Sequence, residues 1–331
     1  MKILLIRVSS LGDVVHNMPL AHDLLQRFPG AHIDWVVEEA YVDLLRLCQG
    51  VGRIIPYALR RWRKNLLQAD SRAEMRAFKQ ALQQEHYDYA FECQGLLKTG
   101  LILGLARASH KIGLGNASEG SGYEAISRLF HSRSIVLPPR THAVARARLM
   151  AAAAFGPLPR ESDLPPADFM LRAPQVDTAF LPQGPYICFF HGTAGAAKKW
   201  PRVHWQALAH KLQQSGCAWP VLLAWGNPAE QEEAQAMAAG MPQARVLPRL
   251  SMLQAVALAA NAAAVIGVDT GLTHIAAAYR RPVLELYCAS PRWKTEGNWD
   301  ARCINLGDAG APPDVEQVWQ AWRQLGAQEV L

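Results

Sequence analysis

The feature that most constrains this chain is a rhythm, in which short apolar runs alternate with longer segments of helical periodicity. In the first half the strand-like runs are KILLIRV, HIDWVVEE, RIIPYA, YDYAFECQ and KIGL. Between them lie VVHNMPLAHDLLQRF, YVDLLRLCQ and the apolar LLKTGLILGLARA. This is the pattern of parallel strands joined by crossover helices, each sheet covered on both faces. The rhythm breaks over residues 157–185, where prolines crowd and periodicity fades. A second series follows: YICFFHG, HWQALAHKLQQSG, PVLLAWG, EQEEAQAMAAG, ARVLP, LQAVALAANA, AAVIGVDTG, HIAAAYR and VLELYC. The chain is therefore predicted to be α/β, with two open parallel sheets in domains spanning 1–165 and 166–331 and a cleft between them. The final VEQVWQAWRQLGA reads as an amphipathic helix that can pack on either domain.

Composition narrows the function classes. With 331 residues, 50% hydrophobic and 19% charged, the chain is long enough for two ordinary cores. No apolar run reaches the roughly 18–20 residues of a membrane span, and MKILLIRVSS turns polar too soon for a signal peptide, so a cytoplasmic protein is expected. The six cysteines lie far apart with no CxxC pair. They read as buried thiols, and no metal is expected. A net charge of +6 implies an anionic partner without saying which kind. Its densest source is Arg60, Arg61, Arg63 and Lys64 around Trp62, which equally fits a solvated helix start. No nucleic-acid motif is present, so a nucleic-acid partner is not expected.

Several residues sit where α/β folds place their chemistry, at the carboxyl ends of strands. KILLIRV runs into Ser9-Ser10-Leu11-Gly12-Asp13, with Val14 expected to open a helix. Asp13 is either an N-cap or a reactive carboxylate. Neither a dinucleotide fingerprint nor a P-loop is present. In the second half Asp269-Thr270-Gly271 ends a strand and begins the helix carrying Thr273 and His274. Free amides there form an anion site, Gly271 admits a phosphate close to the backbone, and His274 adds a hydrogen bond to it. The turn Thr193-Ala194-Gly195-Ala196-Ala197-Lys198-Lys199-Trp200-Pro201 offers a cation for a diphosphate or is merely a solvated loop. Glu230, in the first turn after Pro228, complements the helix dipole or holds a ribose. Together these read as a nucleoside-diphosphate site.

Taken in order, SSLGDVVHNMP, DWVVEE, RRWRK, CQGLLKT, KKWP, WGNPAE and VDTGLTH make the chain resemble the ADP-heptose glycosyltransferases, family 9, over nearly its full length. RRWRK and DWVVEE resemble the heptosyltransferase I branch, which adds the first heptose, more than the branch that adds the second. The resemblance implies a GT-B fold, two facing Rossmann-like domains, with acceptor bound by the first and nucleotide sugar by the second. It implies inverting transfer of L-glycero-D-manno-heptose from ADP-heptose, a co-substrate, to Kdo2-lipid A, with no cofactor and no metal. Asp13 becomes the general base, expected to be exposed and ionised without tuning. Lys198, Thr193, His274 and the amides of Thr270 and Gly271 are implied for the leaving diphosphate, Asp269 for the turn and donor heptose, and Glu230 for the adenosine ribose. Arg60, Arg61, Arg63 and Lys64 become the dock for acceptor carboxylates and phosphates. Gln94 and Lys98 either contact acceptor or hold the Asp13 loop. The resemblance also implies a monomer in peripheral contact with the inner face of the inner membrane. Two segments depart from the pattern: the loop at 113–124 lacks an arginine, and YCASPRWKTEG replaces a Gly-Thr-rich turn. The competing readings are a related enzyme with another nucleotide-sugar donor, an epimerase, a heptosyltransferase II acceptor, or a nucleic-acid module.

Overall fold

The computed structural model describes residues 1–65 and 68–329, with side chains through Leu325. It divides into two compact units, residues 1–172 and 173–331, rather than at 165. The reason is backbone pairing. Gln49 N–H donates to Met170 O at 2.9 Å and Arg172 N–H to Leu47 O at 3.0 Å, so the segment after 165 is tied back to the first unit.

The first unit runs β1 (Lys2–Ile6), α1 (Leu11–Arg27), β2 (His32–Glu38), α2 (Val42–Leu45), β3 (Arg53–Tyr57), α3 (Leu59–Trp62), α4 (Ala69–Gln83), β4 (Tyr87–Glu92), α5 (Leu97–Leu105), β5 (Ala108–Leu114), β6 (Arg133–Ile135) and α6 (Ala143–Phe155). Its parallel sheet has the order β3-β2-β1-β4-β5-β6. Ile3, Leu4, Leu5 and Ile6 of β1 are all buried, as expected of a central strand covered on both faces. Pro56 is tolerated in β3 because that strand is an edge, with only β2 to satisfy.

The second unit repeats this topology. It comprises β7 (Ile187–Phe190), α7 (Arg202–Gln214), β8 (Val221–Leu223), α8 (Pro228–Ala238), β9 (Ala244–Val246), α9 (Met252–Asn261), β10 (Ala264–Val268), α10 (Gly271–Ala278), β11 (Val283–Tyr287), β12 (Cys303–Gly307) and α11 (Val315–Glu329). Its sheet order β12-β11-β10-β7-β8-β9 is that of the first unit, read from the opposite edge. The closing helix α11 packs on the second unit, where Val318, Ala321 and Leu325 join the core of Trp200, Trp205, Leu208 and Leu284.

In each sheet the connections reverse direction once, between β1 and β4 and between β7 and β10. Ligands of open α/β sheets bind outside the carboxyl ends of the strands at such a switch. Close packing at the second switch requires a glycine: a methyl on Gly267 of β10 would lie 2.1 Å from Thr273 Oγ1 of α10. That hydroxyl also donates to Val268 O at 2.8 Å, so it has nowhere to retreat. Gly267→Ala is expected to destabilise the protein by about 1–3 kcal/mol through overpacking. An unchanged midpoint in urea denaturation would show that α10 is not seated as described.

Candidate active site

At the first switch, α1 begins at Leu11, three residues before the expected Val14, and Ser10 is its N-cap. Asp13 is therefore the third residue of the helix and not its cap. One carboxylate oxygen accepts from the Ser10 amide and hydroxyl, both at 2.9 Å. The other meets Arg7 Nη2 at 2.6 Å. The expectation of an exposed, untuned aspartate is corrected by this pairing. Burial pushes the carboxyl up, but the Arg7 guanidinium, the Ser10 amide and His16 outweigh it and hold Asp13 well below the usual carboxylate range. Arg7 is itself braced across the switch, donating to Cys93 O at 2.5 Å.

Gln94 and Lys98 follow β4 and touch the same loop. Gln94 Oε1 accepts from Val8 N–H at 3.3 Å, and Lys98 Nζ lies 3.2 Å from Ser9 Oγ. Of the two roles left open for them, holding the Asp13 loop is the one visible here. The basic cluster is split. Arg61 is committed to Glu39 and Glu74, at 2.9 and 2.7 Å, while Trp62 beside it is buried and donates to Glu74. The charge of Arg60 is felt by both Glu38 and Lys98, which places Arg60 on the Lys98 side. Arg63 and Lys64 are exposed.

At the second switch Asp269, Lys198 and His274 form one cluster. Asp269 accepts from Lys198 Nζ at 2.7 Å, His274 Nε2 at 3.1 Å and Ser290 Oγ at 2.5 Å. His274 Nδ1 faces Glu285 at 3.2 Å, and Glu285 also accepts from the Tyr287 hydroxyl. Both ring nitrogens of His274 are thus turned to carboxylates, not toward the open end of α10. Burial pulls the imidazole down, but Glu285 and Asp269 overcome it and raise it to about 10. At neutral pH the ring is an imidazolium, and Asp269 is held well below its usual range. Two cations then balance two carboxylates. The N-terminus of α10 can therefore present its amides to an anion without an uncompensated negative charge beside them. Thr270, its N-cap, makes no side-chain cap, whereas α8 and α9 are capped by Asn227 and Ser251. Thr193 Oγ1 donates to Asp269 O at 3.2 Å, bringing the turn after β7 onto the same strand end.

Glu230 completes the row. Its carboxylate accepts from the Gly226 amide at 2.7 Å, and its own amide donates to Asn227 Oδ1 at 3.0 Å. A methyl on Gly192, just past β7, would sit 3.1 Å from that carboxyl carbon, so the chain passes close against Glu230 there. Thr193, Lys198, Glu230, Asp269, Thr270, Gly271 and His274 therefore gather along the carboxyl ends of β7, β8 and β10.

A profile of "Glycosyltransferase family 9 (heptosyltransferase)" matches residues 75–320. This chain belongs to glycosyltransferase family 9. Lipopolysaccharide heptosyltransferase 1 of Pseudomonas aeruginosa is 40% identical over 288 residues, 87% of this chain and 78% of that protein. The Escherichia coli K12 protein of that name is 35% identical, over 87% of this chain and 88% of its own. Among solved structures, the E. coli heptosyltransferase WaaC with ADP superposes with a TM-score of 0.82 at 32% identity, covering 99% of both chains. The family 9 chain is thus a glycosyltransferase, and its two parallel sheets are of the GT-B type.

Some members of this family 9 site were not singled out in the sequence. Arg7 ends an otherwise apolar strand run, and a charge in that position is a signal. Glu285 interrupts VLELY in the same way, and it is fully buried. Arg146, in the first turns of α6, shows no such signal within AVARARLMAAAAF. It is brought near Asp13 by the fold alone, and burial together with Arg7 lowers it to about 10. Its Nη1 donates to Ser121 Oγ at 2.5 Å, so the 113–124 loop is met by an arginine from α6 although it carries none.

Proposed function

We propose that this family 9 enzyme moves L-glycero-D-manno-heptose from ADP-heptose to Kdo2-lipid A, with inversion, at the inner face of the inner membrane. The observation that carries the donor side is the charge-balanced cluster of Lys198, Asp269 and His274 at the uncapped N-terminus of α10. An ammonium has three N–H donors, so Lys198 can keep Asp269 and still reach a diphosphate oxygen. The amides of Thr270 and Gly271 supply further donors, and Thr193 a hydroxyl. His274 contributes by fixing Asp269 rather than by touching phosphate. Glu230, its carboxylate held by the Gly226 amide, accepts from both hydroxyls of the adenosine ribose in this reading.

On the acceptor side Asp13 takes the proton of the attacking hydroxyl as its oxygen bonds to the anomeric carbon and the bond to the ADP oxygen breaks. A carboxylate held below its usual range is a weak base, so this transfer comes late. Once the new C–O bond has formed, the hydroxyl proton is strongly acidic and a weak base suffices. Arg60, Arg63 and Lys64 remain the best-placed residues for the acceptor's carboxylates and phosphates, Arg61 being engaged by two glutamates. The positive charge that a leaving diphosphate needs is thus drawn from side chains and helix amides, and the proposal includes no metal ion. Likewise it includes a monomer, no nucleic-acid partner, and a peripheral contact with the bilayer; among the described residues no helix is long and apolar enough to cross a membrane. A first-heptose acceptor is favoured because the relatives at 33–40% identity are named heptosyltransferase 1, whereas those named heptosyltransferase 2 stand at 27% or lower.

The test is to mix the protein with ADP-heptose and heptose-free lipopolysaccharide. ADP release matched by a mass gain of one heptose is expected. Turnover that prefers a UDP-sugar, or a donor consumed with no gain on the acceptor, would overturn the proposal.

A further inference from the structure

Helix α5 was conspicuous in sequence for its apolar character, and burial uses only half of it. Ile102 and Leu103 are in the core, while Leu101 and Leu105 are 48% and 41% exposed. The 3-10 turn at Ala125–Phe130 lies against this helix. A methyl on Gly104 would come 2.6 Å from the Phe130 ring, and one on Gly100 would come 2.9 Å from it, so the two glycines form the seat of the turn. What this docking leaves outward is more apolar surface: Ile126 is 51% exposed and Leu129 is 79% exposed. Leu101 and Leu105 are four apart on an α-helix, and Ile126 and Leu129 three apart on a 3-10 turn, so each pair shares a face.

The charges around this patch are mostly basic. Between residues 97 and 133 the basic residues are Lys98, Arg107, Lys111, Arg128 and Arg133, and the acidic ones are Glu119 and Glu124. Both acids are spoken for, Glu124 by the Leu97 amide at the start of α5 and Glu119 by Arg140. Lys111 reaches back to Gly104 O at 2.9 Å, which puts its ammonium at the end of the helix beside the leucines. An apolar face bordered by lysine and arginine is the surface that settles into the boundary layer of an anionic bilayer. The patch is also continuous with the reaction site. Lys98 lies one turn before Leu101 on the same side of α5, and its ammonium touches Ser9 in the Asp13 loop.

We infer that the face formed by α5 and the turn at Ala125–Phe130 rests on a membrane surface of anionic phospholipid, with Leu129 and Ile126 as its insertion points. This rests on the reading that the acceptor is a lipid: a base at the head of that face then meets a sugar standing just above the headgroups.

The test uses the full chain and flotation with vesicles of phosphatidylglycerol and phosphatidylethanolamine. Wild type is expected to float, and to float less with phosphatidylcholine alone. Ile126→Ser with Leu129→Ser, and separately Arg128→Glu, are each expected to weaken vesicle binding at least about fivefold, the effect of one basic residue near an anionic surface. Their rates on a deacylated, water-soluble acceptor should match wild type, which also shows that they fold. Variants that float as wild type does would overturn the inference. So would a wild-type dimer that the double substitution makes monomeric, since the face would then be covered by a second copy. Failure of wild type to glycosylate the soluble acceptor would instead count against the proposed reaction, whatever the vesicles show.

Discussion

Asp13→Ala is expected to lower kcat by about 10²–10⁴-fold, the range for loss of a general base, with affinity for ADP-heptose changed no more than a few-fold. The alanine does more than remove a base. Arg7 loses the carboxylate 2.6 Å away and keeps only its bond to Cys93 O, so some stability is lost as well. Leaving a buried charged donor short of a partner costs more than the about 1–3 kcal/mol of a neutral group. Asp13→Asn separates the two effects, because the amide retains the shape and an acceptor oxygen for Ser10 while it cannot take a proton. Both variants should lose turnover, and the asparagine protein should melt closer to wild type. A rate above roughly a tenth of wild type in either would remove Asp13 from the chemistry. Since Asp13 is depressed in the folded protein, the stability from its pairing is present above the ordinary aspartate value near 3.9 and is lost as pH falls through the lower folded value.

Lys198→Ala should be nearly as damaging, in the donor KM as well as in kcat. Removing one donor to a developing oxyanion typically costs about 10²–10³ in kcat. Here a second loss is added, because Asp269 sheds one of its two cationic partners and the mouth of α10 gains net negative charge. The KM for ADP-heptose should therefore rise while kcat falls, and product ADP should bind more weakly. The acceptor KM is expected to stay within a few-fold. Steady-state kinetics with each substrate varied in turn decides this. Unchanged donor kinetics would mean that Lys198 serves Asp269 alone.

Sequence locates the reactive residues of each unit better than it assigns their partners. Lys198, Glu230, Asp269 and Gly271 follow strands with clear apolar runs, and a residue just past the carboxyl end of a parallel strand has its address written in sequence. What those side chains hold was not written there. From its place one turn into α10, His274 reads as a phosphate ligand. Its ring instead bridges Asp269 and Glu285, and that partner lies on the next strand, where only sheet register brings it within 3.2 Å. Arg61 likewise looked equivalent to Arg60 and Arg63 until Glu39 and Glu74, from two other segments, were found to claim it. Helices α4 and α6 and strands β6 and β12 carry no clear sequence signal, because their patterns are short, charged or rich in alanine. The domain boundary slipped from 165 to 172 because two backbone bonds to Leu47 and Gln49 leave no trace in composition.

What the sequence by itself determined is the alternation of buried strands and crossover helices, given twice, and with it the row of loops in which reactive residues must lie. Periodicity and chain order are local, and they survive in one dimension. What only the tertiary structure decided is the partnership of each charge: Arg7 with Asp13, His274 between two carboxylates, Arg146 beside the reactive loop. Coulomb energy depends on separation in space and on burial, and neither is a property of position along the chain.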